Sequence, residues 1–345
     1  MLKNRLLILA GLFVGSCLCI TGLYFLTEYK SKLPNAFIRK LPSHLITAEN
    51  VKDLKNSNMY IAGRNGNFFY LGNHNFKNLL YRLDLKTLDT SRIFLTAPKD
   101  FKVFEDATIR VDSTDIFLMD GLKAKVSTGS VSNYALIKNT STPFFTACIP
   151  MSRNTYLFRS VNKKKQNILV KQRIDNKSIV IKDRILEKQV DGFFCTDGIF
   201  INVPYFNRVF YIYYYRNQFI ATDTNLNVLY TGKTIDTISH AKIKLGKIKS
   251  ENQITMTAPP VYVNKKACAN ENYLFINSAL KADNETDSMH NSAVPIDVYA
   301  VKDGKYQFSF YLPDFNGIKM TDFKVYGKTL VVLFGHYVYT FQLNF

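Results

Sequence analysis

The stretch FKVYGKTLVVLFGHYVYTFQL, Phe323 to Leu343, decides the fold. A moderately polar run (323–326) meets a turn at Gly327-Lys328 and continues into the strongly apolar run TLVVLF (329–334). A third run, YVYTFQL (337–343), follows Gly335-His336. β-Branched and aromatic residues suit the half-buried surface of a sheet. Gly and its neighbours at the breaks let the chain reverse. The stretch reads as three antiparallel strands of one sheet that still needs a fourth.

Working back along the chain, the first two strands recur. MYIAG (59–63) turns at Asn65-Gly66 into FFYL (68–71), and TIRV (108–111) turns at Ser113 into DIFLM (115–119). FFTACI (144–149) turns at Arg153-Asn154 into YLF (156–158), and FFC (193–195) turns at Asp197-Gly198 into IFINV (199–203). KACA (266–269) turns at 270–272 into YLFI (273–276). Outer pairs follow the same scheme, as with 296–301 and 306–311 about the hairpin signal Asp303-Gly304. Strands at this spacing argue for a sandwich, barrel or propeller. Repeats of roughly 40–50 residues favour the propeller. The predicted fold is therefore all-β, a six-bladed β-propeller. The less regular phasing of 209–230 leaves seven blades as the alternative count. The run VFYIYYY (209–215) reads as sheet core, since alternating aromatics pack across strands.

The missing fourth strand of the last unit is expected from AFIRKL (36–41), which would close the ring and remove exposed edges. AENVKDL (48–54) reads as a short helical turn. With these repeats in hand, the chain resembles the six-bladed β-propellers found on exported, membrane-anchored bacterial proteins. The resemblance covers about residues 35 to 345 and rests on repeat architecture, so it implies a fold more than an activity.

Ahead of the propeller lies LLILAGLFVGSCLCITGLYFL (6–26), an uncharged run of the length a helix needs to cross a bilayer. Lys3 and Arg5 precede it and favour a cytoplasmic N-terminus. Residues 1–27 are read as a transmembrane signal anchor and 28–34 as a linker. The domain 35–345 would then stand in the periplasm or outside the cell. A lipoprotein cut before Cys17 and a cleaved signal are the alternatives; the apolar Leu18, Cys19 and Ile20 after Cys17, and the length of the run, speak against them.

Composition bounds the function. Apolar residues make up 47 % of the chain, with 21 Tyr, 27 Phe and no Trp, so a folded core is expected. The five cysteines include no CxxC spacing and too few outside the anchor for a disulfide framework. The net charge is +18, which favours anionic partners. The basic residues are spread thinly, however, with one tight run at 163–165 read as a hairpin loop and a loose alternation at 242–249. No nucleic-acid-binding motif accompanies them, and no nucleic-acid partner is expected.

A search for chemistry finds no HExxH, GxSxG, P-loop or dinucleotide signature. One constellation carries a hypothesis. Asp106, Asp191 and Asp322 each stand just before an expected innermost strand, at one mouth of the channel. Three carboxylates there would suit a hard cation such as Ca²⁺; the competing reading is that each caps a turn. No other cofactor is expected. Some propellers of the resembled kind hydrolyse lactones or esters with a metal at this mouth, but their Glu, Asn and His ligands are not recognisable here. The polar loop KADNETDSMHNS (281–292) offers Asp283, Glu285, Asp287 and His290 as contacts for a partner. The expected function is a non-catalytic binding or scaffold protein that recognises a protein, peptide or glycan through its propeller face. A metal-dependent hydrolase or lyase is the alternative.

Overall fold

Alternating apolar runs separated by turn residues can bury both faces only if each sheet packs between two others. In the computed structural model, which describes residues 2–31, 35–96, 106–248 and 253–345, the chain does this with six four-stranded antiparallel units. Their innermost strands are Met59–Asn65, Thr108–Asp112, Ala147–Ser152, Gly198–Val203, Asn264–Ala269 and Asp322–Tyr326. Strands from all six border a single central cavity, as in a propeller.

Six apolar clusters join the units in order, one at each junction. Tyr70 of the first unit meets Ile109 of the second, and Phe117 of the second meets Phe158 of the third. Leu157 of the third meets Tyr211 of the fourth, and Phe210 of the fourth meets Tyr299 of the fifth. Phe275 of the fifth meets Phe323 of the sixth, and Leu333 of the sixth returns to Phe69 of the first. This explains why the second strand of a unit, such as Thr329–Phe334, is apolar without alternation: both its faces are covered. Burying each Phe or Leu contributes about 1.5–3 kcal/mol, so these junctions hold the ring together. The tyrosine-rich strand Arg208–Tyr213 is core, as its sequence implies, with Tyr211 and Tyr213 buried.

One glycine is fixed by geometry. Gly63 has φ +153° and pairs in parallel with Val111, where the innermost strands of the first two units touch. A Cβ at this position would stand 1.7 Å from the Val111 carbonyl oxygen, so no side chain fits.

Three sequence-based expectations are corrected. The strand that completes the last unit is Ile46–Asp53, paired antiparallel with Tyr337–Leu343, and not 36–41. The expected helical turn at 48–54 is therefore strand. Its outward-facing, largely exposed residues carry little apolar alternation to announce it. Residues 36–41 are extended, but their backbone groups bond to the fifth unit outside any strand ladder, as described below. In the fourth unit the innermost strand is Gly198–Val203, so 193–195 precede it in a turn.

The N-terminal helix spans Leu2–Ser31, and its window Leu7–Phe25 has a mean hydropathy of 2.1. That is long and apolar enough to cross a bilayer, a property that anchors and signal sequences share. The helix continues past residue 27 into the expected linker; residues 32–34 of that linker lie outside the described ones. In the expected basic alternation at 242–249, Leu245–Ile248 pairs with Gln253–Met256 as a small hairpin, and residue 249 is outside the description.

Candidate functional site: the central cavity

The three aspartates do not come together. Among the described residues no group of three or more His, Cys, Asp or Glu side chains is placed to share a metal ion. Asp191 caps the turn before the fourth unit: its carboxylate accepts hydrogen bonds from the backbone N–H groups of Phe193, Phe194 and Cys195 at 2.8–3.0 Å. Asp322 joins two units, accepting from the Ile61 N–H at 2.9 Å while its other oxygen takes the Phe323 N–H. Asp106 is exposed in the turn before Thr108–Asp112. Local hydrogen bonding has decided the roles of Asp191 and Asp322, as it often does for Asp near turns.

The loop 281–292 has an internal partner. Arg39 is buried, and its guanidinium forms ion pairs with Glu285 and Asp297. Its N–H bonds to Asn284 Oδ1 at 3.0 Å, and Asn284 Nδ2 returns a bond to the Arg39 carbonyl at 2.9 Å. Asp283 receives the Asn35 N–H, and its own N–H bonds to the Phe37 carbonyl. Ser309 donates to the Lys40 carbonyl through its backbone and to Asp297 through its hydroxyl. Residues 35–40 thus form a strap laid on the fifth unit. Burial alone would raise the Glu285 carboxyl, but the neighbouring His290, Tyr311 and Arg39 hold it down to about 2. His290 Nδ1 stands 3.4 Å from Glu285 Oε2. Asp287 lies in the short helix Asp287–Ser292 and pairs with Lys281. Of the four expected contact residues, Asp283 and Glu285 bind the strap and His290 stands beside Glu285, while Asp283 and Asp287 are exposed.

The central cavity is the other polar concentration. It has a volume of about 720 Å³. Arg64, Arg110 and Lys324 border it, and among the described residues Asp112 is the one carboxylate that does. Strand alternation places them there: the pairs Arg110–Phe117 and Lys324–Val331 occupy the same rung of their hairpins, with a core residue behind each cation. Cys268, opposite Phe275, holds the corresponding rung of the fifth unit. Burial pushes the Cys268 thiol up to about 12 despite nearby Lys324, and it raises the Cys148 thiol despite Arg110. Both therefore stay protonated at neutral pH and are poor nucleophiles. Tyr60 and Tyr326 form aromatic walls. The Tyr60 oxygen accepts from the Ile109 N–H at 2.6 Å, and burial raises both phenols, so both keep their protons at neutral pH. The Asn202 carboxamide oxygen is buried at the cavity without a hydrogen-bond partner. A second hollow of about 690 Å³ continues from the same mouth and shares Arg64 and Tyr326.

None of these cavity residues is singled out by the linear sequence. The signal available in it is a basic residue two positions before the end of an innermost strand in two units, Arg110 and Lys324, visible only once the hairpins are aligned.

No protein-family model matches the chain, and no curated protein sequence is similar to it. Solved structures are similar in fold. A member of the DUF4221 family from Bacteroides vulgatus superposes with a TM-score of 0.53 at 13 % identity, over 86 % of this chain and 97 % of that one. Virginiamycin B lyase from Staphylococcus aureus gives 0.51 at 11 % identity, over 86 % and 99 %. The β-propeller domain of Myceliophteria thermophila Cps50 (Swd1) gives 0.45 at 9 %, over 84 % and 98 %. At these identities the likeness shows the fold alone: the chain is a mostly β, propeller-like protein behind one apolar N-terminal helix.

Proposed function

We propose that this chain is a six-bladed β-propeller held at the extracytoplasmic face of a membrane by its N-terminal helix, acting as a binding protein through the mouth of its central cavity. One observation carries the reading. The cavity gathers polar side chains from several units and, among the described residues, leaves Arg110 and Lys324 without a hydrogen-bond or ion-pair partner, whereas the Arg39 guanidinium of the strap is paired with Glu285 and Asp297. Three of the groups with reactive potential in and around the cavity are held in unreactive states. The thiols are protonated, and the Asp322 carboxylate holds the Ile61 amide. Concave sites that carry a few precisely placed polar groups among apolar and aromatic walls are typical of ligand recognition.

The test places a photo-crosslinking amino acid at Asp112, on the cavity mouth, or at Ile179, on an outer edge, in the full chain within its native membrane. Adducts from position 112 and none from 179 are expected. Equal labelling from both positions, or none from either, contradicts the assignment of the mouth as the binding surface. A reporter joined to the C-terminus should be active only outside the cytoplasm; cytoplasmic activity would overturn the orientation.

A further inference from the structure

Among the described residues, no hydrogen bond or ion pair links Arg110 or Lys324 to another side chain, although both lie on innermost strands and face the cavity. Arg64 is also there, its guanidinium over the Tyr326 ring and its Nε bonded to the Gly66 carbonyl. Among the described residues, Asp112 is exposed at the mouth and Asp322, on the strand of Lys324, is bonded to backbone N–H groups. Positive charge in a low-dielectric recess attracts anions more strongly than it would on an open surface. A simple inorganic anion would not use everything on offer. The orphaned Asn202 oxygen calls for a ligand that donates a hydrogen bond, since a buried unsatisfied acceptor is costly. Tyr60 and Tyr326 supply flat apolar walls ending in hydroxyls.

We propose that the cavity binds an acidic sugar, a hydroxylated ring bearing a carboxylate. Arg110 and Lys324 take the carboxylate, and Asn202 accepts from a ring hydroxyl. The second hollow beyond Arg64 and Tyr326, bordered by Asn270, Glu271 and Asn272, then receives a neutral sugar linked to the acidic one. The cavity volume is in the range of small-molecule sites. This assignment rests on reading the cavity as a binding site and adds the chemical class of its ligand.

The experiment is calorimetric titration of the full chain in detergent with D-glucuronate, D-glucose and acetate in turn. Saturable glucuronate binding is expected, weakened about tenfold in Arg110→Gln and in Lys324→Gln, with glucose and acetate each at least about tenfold weaker than glucuronate. Should a variant fold poorly, salt serves on the unaltered chain: raising NaCl should weaken glucuronate binding and leave any glucose binding unchanged. Glucose binding as tightly as glucuronate removes the charge from the account, and acetate binding as tightly removes the ring. No saturation by glucuronate at about 1 mM overturns the proposal outright. If glucuronate fails while position 112 still crosslinks, the binding-protein reading stands and the sugar assignment falls. Glucuronate binding without crosslinks supports the cavity as a sugar site and contradicts capture of a macromolecular partner at the mouth.

Discussion

The strap and the central cavity treat charge in opposite ways. At the strap, Arg39, Glu285 and Asp297 are buried together, and each charge has an opposite one within ion-pair distance. At the cavity, Arg110 and Lys324 share a rung height and have no hydrogen-bond or ion-pair partner among the described residues. A charge removed from water must be paired to be tolerated, so the strap is structure. A charge left partly solvated and unpaired remains free for a ligand. Density of charged residues alone does not distinguish these cases; the pairing does.

The largest effect is expected at the strap. Arg39→Ala leaves Glu285 and Asp297 uncompensated and should cost about 3–5 kcal/mol in urea unfolding. A loss below about 1 kcal/mol would show that the strap is not part of the cooperative fold. Next comes Asp322→Ala, which strips the acceptor from the Ile61 N–H between the last and first units. A cost of about 1–3 kcal/mol is expected, with faster amide exchange confined to that junction. Unchanged exchange at Ile61 would mean that the contact does not hold the ring.

Acid should separate the two regions further. The folded Glu285 carboxyl lies at about 2, below the ordinary 4.5. Its contribution is therefore complete above pH 4.5 and is lost as pH falls from there toward 2. Amide exchange at Arg39 and Lys40 should accelerate through that window before exchange in the innermost strands does; simultaneous acceleration would make the strap inseparable from the ring. The smallest effect belongs to the exposed Lys281–Asp287 pair, where Asp287→Ala should change stability by less than about 1 kcal/mol.

The same contrast explains what could be read in the sequence. Strand pairs with strong turns, such as those at Asn65-Gly66 and Gly327-Lys328, were legible because apolar runs and turn chemistry agree. The closing strand Ile46–Asp53 was not, because an outermost strand needs little apolar alternation, and its Ala, Glu and Lys suit a helix as well. The segment 36–41 alternates like a strand, with Phe37 and Arg39 buried and Ile38 exposed. Its polar bonds instead go to side chains and loops far along the chain, and no local pattern reveals those. The aspartates were misleading for a related reason: a carboxylate before a strand looks the same whether it awaits a cation or already holds a backbone amide. Arg110 and Lys324 are single basic residues in otherwise ordinary strands, and only the ring brings them to one cavity.

The most direct test of this distinction is the urea-unfolding free energy of the Arg110→Gln, Lys324→Gln double variant beside the unaltered chain. If the cavity cations serve a ligand, stability should stay within about 0.5 kcal/mol or rise, since two unpaired like charges repel. A loss approaching that of Arg39→Ala would show that these cations hold the fold, and would contradict the account.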